Sequence, residues 1–231
     1  MTDSHITADP AAGTTHTEPE PLAHEPLAPQ GPEDLEGEDN STGDAHATRP
    51  VDAETERSLV RFLYNEAEMV DDMRWDDWLT MLHAELNYWA PIRENRVFRE
   101  RKHEFAEKGT SVYFEESYEY MRQRVFRLQT AKAWAEEPAS RTRHVVSNIR
   151  VDTLQDAGLE LPERFGDVEA YAVKSNFFIY RSRSERDQDH ITGERRDLIV
   201  RDPGPWGWKL AEREVRFDMS TILIKNLSLF Y

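Results

Sequence analysis

Between Trp208 and Phe217 the chain runs WKLAEREVRF, a strand-length stretch released by the turn residues Pro203, Gly204, Pro205 and Gly207. Strict alternation puts Lys209, Ala211, Arg213, Val215 and Phe217 on one face and Trp208, Leu210, Glu212, Glu214 and Arg216 on the other. Neither set is apolar. Such a strand suits the centre of a curved sheet, with helices on one side and a polar partner or cavity on the other. The segment that follows closes on Phe230 and Tyr231, an aromatic pair expected to be docked.

The upstream elements fit that frame. Leu59, Phe62, Leu63, Ala67 and Val70 recur at helical spacing behind a capping Asp52. Trp75, Trp78, Leu79 and Leu82 continue as a second short helix, which brings two indoles into one core. Leu86–Ile92 reads as an aromatic strand, and the charged run to Gly109 as a surface connection. A new element starts at Ser111, and a helix over Tyr118–Thr130, ended by Trp134 and Pro138, carries Met121, Val125 and Leu128 on one side. Three long β runs follow, Thr142–Leu154, Val168–Arg183 and Ile191–Asp202, before the strand at Trp208. Helices first and strands in meander order mean α+β with an antiparallel sheet, and a long sheet covered on one face by helices curls towards a cone.

Composition sets the boundary of this body. Residues 1–50 hold seven of the twelve prolines, no Val, Phe, Trp or Tyr, and eleven carboxylates against the single Arg49. They cannot bury enough apolar surface to offset chain entropy, so a disordered acidic tail over 1–50 and a folded domain over 51–231 are expected. The tail carries about −10 of the net −16, which leaves the body mildly acidic. Nucleic acid is a poor partner for it, and no stretch is long and apolar enough for a membrane span or a secretory signal. A cytoplasmic protein is expected. The absence of cysteine excludes disulfides, thiolate nucleophiles and cysteine-ligated metal centres in this chain.

Candidate chemistry is thin. Of the body's histidines, His83, His103, His144 and His190, no two stand at helix-turn spacing. Asp187, Asp189 and His190 lie in a charged stretch, Ser184–His190, that reads as a solvated hairpin. A cone can also host acid/base chemistry through a buried Asp with a Tyr or His across it, and Asp71, Asp72, Tyr88 and His144 are the candidates. Spacing alone does not bring them together. In Ser140–Val151 the groups Arg141, Arg143, His144, Asn148 and Arg150 alternate with Val145, Ser147, Ile149 and Val151, a row suited to fixing carboxylates and carbonyls. A hydrogen-bonding network or an interface is the better reading of that row.

Four blocks then carry a family resemblance: FLYNEAEMVDDMRWDDWLTML at 62–82, RVFRLQTAKAWAEEPASRTRHVVSNIRV at 124–151, FFIYRSR at 177–183 with GERRDLIVR at 193–201, and WKLAEREVRFD at 208–218 with KNLSLFY at 225–231. The chain resembles the small (beta) subunit of aromatic-ring-hydroxylating dioxygenases, the Rieske non-haem iron oxygenases. The resemblance implies a cone-shaped, strongly curved mixed or antiparallel sheet with N-terminal helices, of the cystatin-like type shared with scytalone dehydratase and ketosteroid isomerase. It further implies a non-catalytic chain without cofactor. The large (alpha) subunit would carry the [2Fe–2S] cluster and mononuclear Fe(II), three large and three small subunits would assemble over a small-subunit trimer, and a reductase, often through a ferredoxin, would supply electrons. By position Arg141, Arg143, His144, Asn148, Arg181, Arg183, Arg196, Lys225, Asn226, Phe230 and Tyr231 match recurrent family features, assigned to structure or subunit contacts. Exposed aromatics at Trp206, Trp208, Phe230 and Tyr231 would suit an obligate assembly. A stand-alone cone-fold isomerase or dehydratase, or a ligand-binding cone, is the alternative.

Overall fold

The computed structural model describes residues 51–130, 139–183, 187–222 and 229–231. The expected tail over 1–50, the helix terminators Trp134 and Pro138, and the site candidates Lys225 and Asn226 lie outside the described residues. Helix α1 spans Ala53–Asp71, with the Asp52 carboxylate accepting from the Glu54 and Thr55 amides (3.1 and 2.9 Å). Helix α2 is shorter than expected, Trp75–Thr80, and Leu82 already begins strand β1, Leu82–Pro91. After an exposed connection come β2 (Val112–Ser117) and α3 (Tyr118–Gln129), then β3 (Arg141–Thr153), β4 (Ala170–Arg183), β5 (Asp187–Arg201) and β6 (Trp208–Phe217).

The six strands form one sheet in the order β2-β1-β6-β5-β4-β3. All neighbours are antiparallel except β1 and β6, which run parallel, so the sheet is mixed and not the simple meander that strand order suggested. The strand at Trp208 is central, as its sequence required. α1 packs against β3 at one edge and α3 against β1 and β2 at the other, so both edges bend round the helices and the inner face becomes concave. Leu59, Leu63, Trp78, Met121, Tyr88, Ile199, Val215 and Phe217 meet inside.

Two bulges explain why no face looked apolar in the sequence. In β6, Glu212 pairs with Leu198 and Leu210 with Ile199, which leaves Ala211 as the extra residue. The phase flips there: Trp208 and Leu210 point inward before it, and Arg213, Val215 and Phe217 after it, all buried. Ala211 packs outward with Phe165, Leu198 and Val200 in a small second cluster. In β3, Asn148 and Ile149 oppose the single Ser175, and Asn148 takes φ 52°, the left-handed region that asparagine tolerates better than most residues. His144 and Val146 therefore share the inner face with Ile149 and Val151. The expected row of Arg141, Arg143 and His144 is split, because the two arginines face outward and are exposed.

Candidate functional site

The concave interior holds a set of charges that the sequence reading missed. Glu66 of α1, Arg195 and Asp197 of β5 and Arg213 of β6 are all buried. Arg213 donates to both oxygens of Asp197 (2.8 and 2.7 Å) and to both oxygens of Glu66 (2.8 and 2.8 Å), a double fork. The Trp78 indole N–H points at Glu66 (3.4 Å), and Arg195 stands 3.9 Å from the same carboxylate. Burial works against ionising Glu66, but the charges of Arg213 and Arg195 outweigh it and hold the carboxyl below its ordinary value. Burial likewise opposes the Arg213 charge, yet Asp197 and Glu66 keep that guanidinium well above its ordinary value. A signal existed: Glu66 falls on the α1 stripe one turn after Phe62 and Leu63, and Arg213 falls in phase with Val215 and Phe217.

Above this cluster lies a strap, Leu229, Phe230 and Tyr231, all buried. Phe230 and Tyr231 are therefore core residues, as is Trp208, while Trp206 is half-buried. The expectation of exposed aromatics at these positions is corrected: the rings fill the space between helices and sheet. The strap's carbonyls are taken up one by one. Arg124 of α3 donates to the Leu229 oxygen (2.8 Å), His144 to the Phe230 oxygen (2.9 Å), and Arg213 (3.1 Å) with the Tyr88 hydroxyl to the Tyr231 oxygen. The Tyr231 amide donates back to the Tyr88 oxygen (2.6 Å). Burial pushes the Tyr88 phenol up to about 12, so at neutral pH it is a neutral donor and acceptor.

Asp71 and His144, which spacing could not connect, do meet. The Asp71 carboxylate accepts from His144 Nδ1 (2.6 Å), the His144 amide (2.9 Å) and the Thr142 hydroxyl (2.9 Å). The two ring nitrogens of His144 are thus both engaged, Nδ1 with the Asp71 carboxylate and Nε2 with the Phe230 carbonyl. Burial raises the Asp71 carboxyl, but the hydrogen bonds from His144 outweigh it and leave the group low. Asp72 is the C-cap of α1 and Tyr88, on β1, bonds to the strap, so neither joins this pair.

The remaining candidates scatter. Arg181 is buried on β4, bonded to the Ser140 hydroxyl and Asp189 (both 2.9 Å), with Asp187 at 3.6 Å. Asp187 and Asp189 are thus no solvated loop: β5 begins at Asp187 and brings them to a buried cation, whereas residues 184–186 lie outside the described residues. Arg143 reaches Asp71 only at 3.7 Å, Arg196 pairs with Glu194 (2.7 Å) on the outer face, and Arg183 is half-buried. Arg141 and Asn148 are exposed on β3. His83 packs on Phe165, His103 is exposed, and His190 stacks on Phe178. Among the described residues no group of three or more histidines and carboxylates could hold a metal ion.

The interior is thus a clamp: each hydrogen-bonding group of Asp71, His144 and Tyr88 is engaged in holding the strap or another element. A family model for the ring hydroxylating beta subunit matches residues 65–224. The chain is 34% identical to the beta subunit of biphenyl 2,3-dioxygenase from Rhodococcus jostii strain RHA1, over 85% of this chain and 100% of that protein. It is 34% identical to the beta subunit of benzene 1,2-dioxygenase from Pseudomonas putida, over 79% of this chain and 91% of that one. Among solved structures, naphthalene 1,2-dioxygenase with indole bound in the active site matches with a TM-score of 0.64 and 21% identity, over 79% of this chain and 89% of that chain. The beta subunit of a putative aromatic-ring-hydroxylating dioxygenase from Novosphingobium aromaticivorans matches with a TM-score of 0.53 and 17% identity, over 75% and 94%. Both structures share the fold of this chain.

Proposed function

The chain belongs to the ring-hydroxylating beta subunit family, and on that premise we propose that it is the accessory small subunit of an aromatic-ring-hydroxylating dioxygenase. Its task is to hold the complex together while the large subunit, with its [2Fe–2S] cluster and mononuclear Fe(II), performs the chemistry. Full-length coverage of a biphenyl dioxygenase beta subunit is the observation that carries this reading. The interior supports it. Both nitrogens of His144 are committed, to Asp71 and to Phe230, so the pair that a dehydratase or isomerase would use is occupied in holding the protein's own backbone.

The finer reading is a heterohexamer of three large and three small subunits, built over a small-subunit trimer and fed with electrons by a reductase, often through a ferredoxin. No described helix is long and apolar enough to cross a membrane, and the cytoplasm is the proposed location. The outward arginines Arg141 and Arg143, with the exposed Val145, Phe178 and Tyr180 beside them on β3 and β4, are the assigned subunit-contact face. Arg181, His144, Phe230 and Tyr231 are structural. Co-expression with the large subunit tests the reading: an iron-containing hetero-oligomer should form, and this chain alone should purify without iron. A chain that never co-purifies with the large subunit would overturn the assignment. In the assembled, fully metallated complex, His144→Ala should leave turnover per iron unchanged.

A further inference from the structure

Two arginines reach Glu66 in different ways. Arg213 forks onto both carboxylate oxygens at 2.8 Å, whereas Arg195 Nη1 stops 3.9 Å from Oε2, too far for a direct hydrogen bond. Both ends of that gap have capacity to spare. Arg195 is buried, and neither its Nε nor its Nη1 has a hydrogen-bond partner among the described residues. Glu66 Oε1 accepts from Arg213 and faces the Trp78 indole, but among the described residues Oε2 accepts from Arg213 alone, which leaves it a lone pair.

A small cavity adjoins both groups. It measures about 10 Å³, and its walls include Ala67, Val70, Trp78 and Phe230 beside Glu66 and Arg195. A buried guanidinium N–H with nothing to donate to is costly, and native interiors ordinarily supply a partner, ordered water included. Size and chemistry name the guest. Roughly 10–15 Å³ is the space one water needs, so an organic ligand has no room. A cation would meet two guanidinium groups and an anion would meet the Glu66 carboxylate, whereas a molecule that both accepts and donates serves Nη1 and Oε2 together.

We propose that the interior of the cone binds one water molecule that bridges Arg195 to Glu66, accepting from Arg195 Nη1 and donating to Glu66 Oε2. Two hydrogen bonds of ordinary length span a 3.9 Å separation without moving either side chain. The inner charge set then has a fifth member, which is solvent, and Arg195 is hydrogen-bonded into the set through it. Ser175, the register partner of Arg195 on β4, also carries a buried hydroxyl without a partner among the described residues, so this side of the interior is short of protein partners as a whole. The inference does not depend on the accessory role.

The test uses the full-length chain. Magnetic relaxation dispersion of the solvent counts long-lived bound waters, and Ala67→Val, which adds methyl groups at the cavity wall, should lower that count by one while circular dichroism stays that of the parent. An equal count in the folded variant overturns the proposal. A crystal structure of the parent should show one solvent peak within hydrogen-bonding distance of both Arg195 Nη1 and Glu66 Oε2. A dry cavity, a direct Arg195–Glu66 hydrogen bond, or an anomalous bromide peak at that point after soaking overturns it. Should valine at this position prevent folding, the parent crystal structure decides by itself.

Discussion

Arg195 and Arg196 are adjacent in the chain and face opposite sides of β5, and Arg213 and Arg216 are divided in the same way on β6. The inward pair is buried among Glu66 and Asp197, while the outward pair bonds to carboxylates two residues away, Arg196 to Glu194 (2.7 Å) and Arg216 to Glu214 (2.9 Å). The same side chain on the same strand thus does two different things. Outside, water screens the charge and either partner can be lost without leaving a bare ion. Inside, each charge is tolerable only because the others are there, and the strong term is the penalty for breaking the set. Burial of an arginine here reports interdependence more than strength.

The largest expected effect breaks the inner set at its hub. Arg213→Ala leaves Glu66 and Asp197 buried without their shared fork, and urea unfolding should show a loss of about 3–5 kcal/mol. A loss below about 1 kcal/mol would erase the contrast between the faces. Next, Glu66→Gln should change the pH dependence. The Glu66 carboxyl lies below its ordinary value of 4.5, so its stabilisation is complete above that pH and fades as pH falls through the lower folded value. The variant should therefore show a shallower acid loss of stability below about pH 4, where parent and variant converge. His144→Ala removes one hydrogen-bonded hold on the strap and leaves the buried Asp71 carboxylate without that partner, and about 2 kcal/mol is expected by the same urea measurement. Arg196→Ala, on the outer face, should stay within about 0.5 kcal/mol of the parent. An Arg196 effect as large as that of His144 would show that exposure is the wrong axis of comparison.

The helices were legible because a 3.6-residue period survives local perturbation: Leu59, Phe62, Leu63 and Val70 are the buried face of α1, and Asp52 is its cap. Most strand boundaries were legible too. What strict alternation hid were the bulges at Ala211 and Asn148, since one extra residue exchanges inside for outside along everything that follows. The inner charges were hidden by the same habit of reading polar residues as outward, although Glu66 and Arg213 stand in phase with apolar neighbours. The meeting of Asp71 with His144, and of Tyr88 with Tyr231, depends on how the whole sheet bends, which no local window contains. The family resemblance reached the right group before any of this geometry, because residue identity along four blocks encodes more than periodicity does.

The parallel pairing of β1 with β6 has a consequence in time. Leu82 and Leu210 are register partners more than a hundred residues apart, and the strand that joins the two halves of the sheet is made last of the six. On a ribosome, β1 with β2, and β3 with β4 and β5, can pair as hairpins first, each leaving open the edge that β6 later takes. The centre must wait for β6. Such high contact order makes closure slow and leaves an interval in which β1 and β5 offer unpaired backbone to any neighbour. Newly made chains are therefore most prone to misassociate just before Trp208–Phe217 emerges.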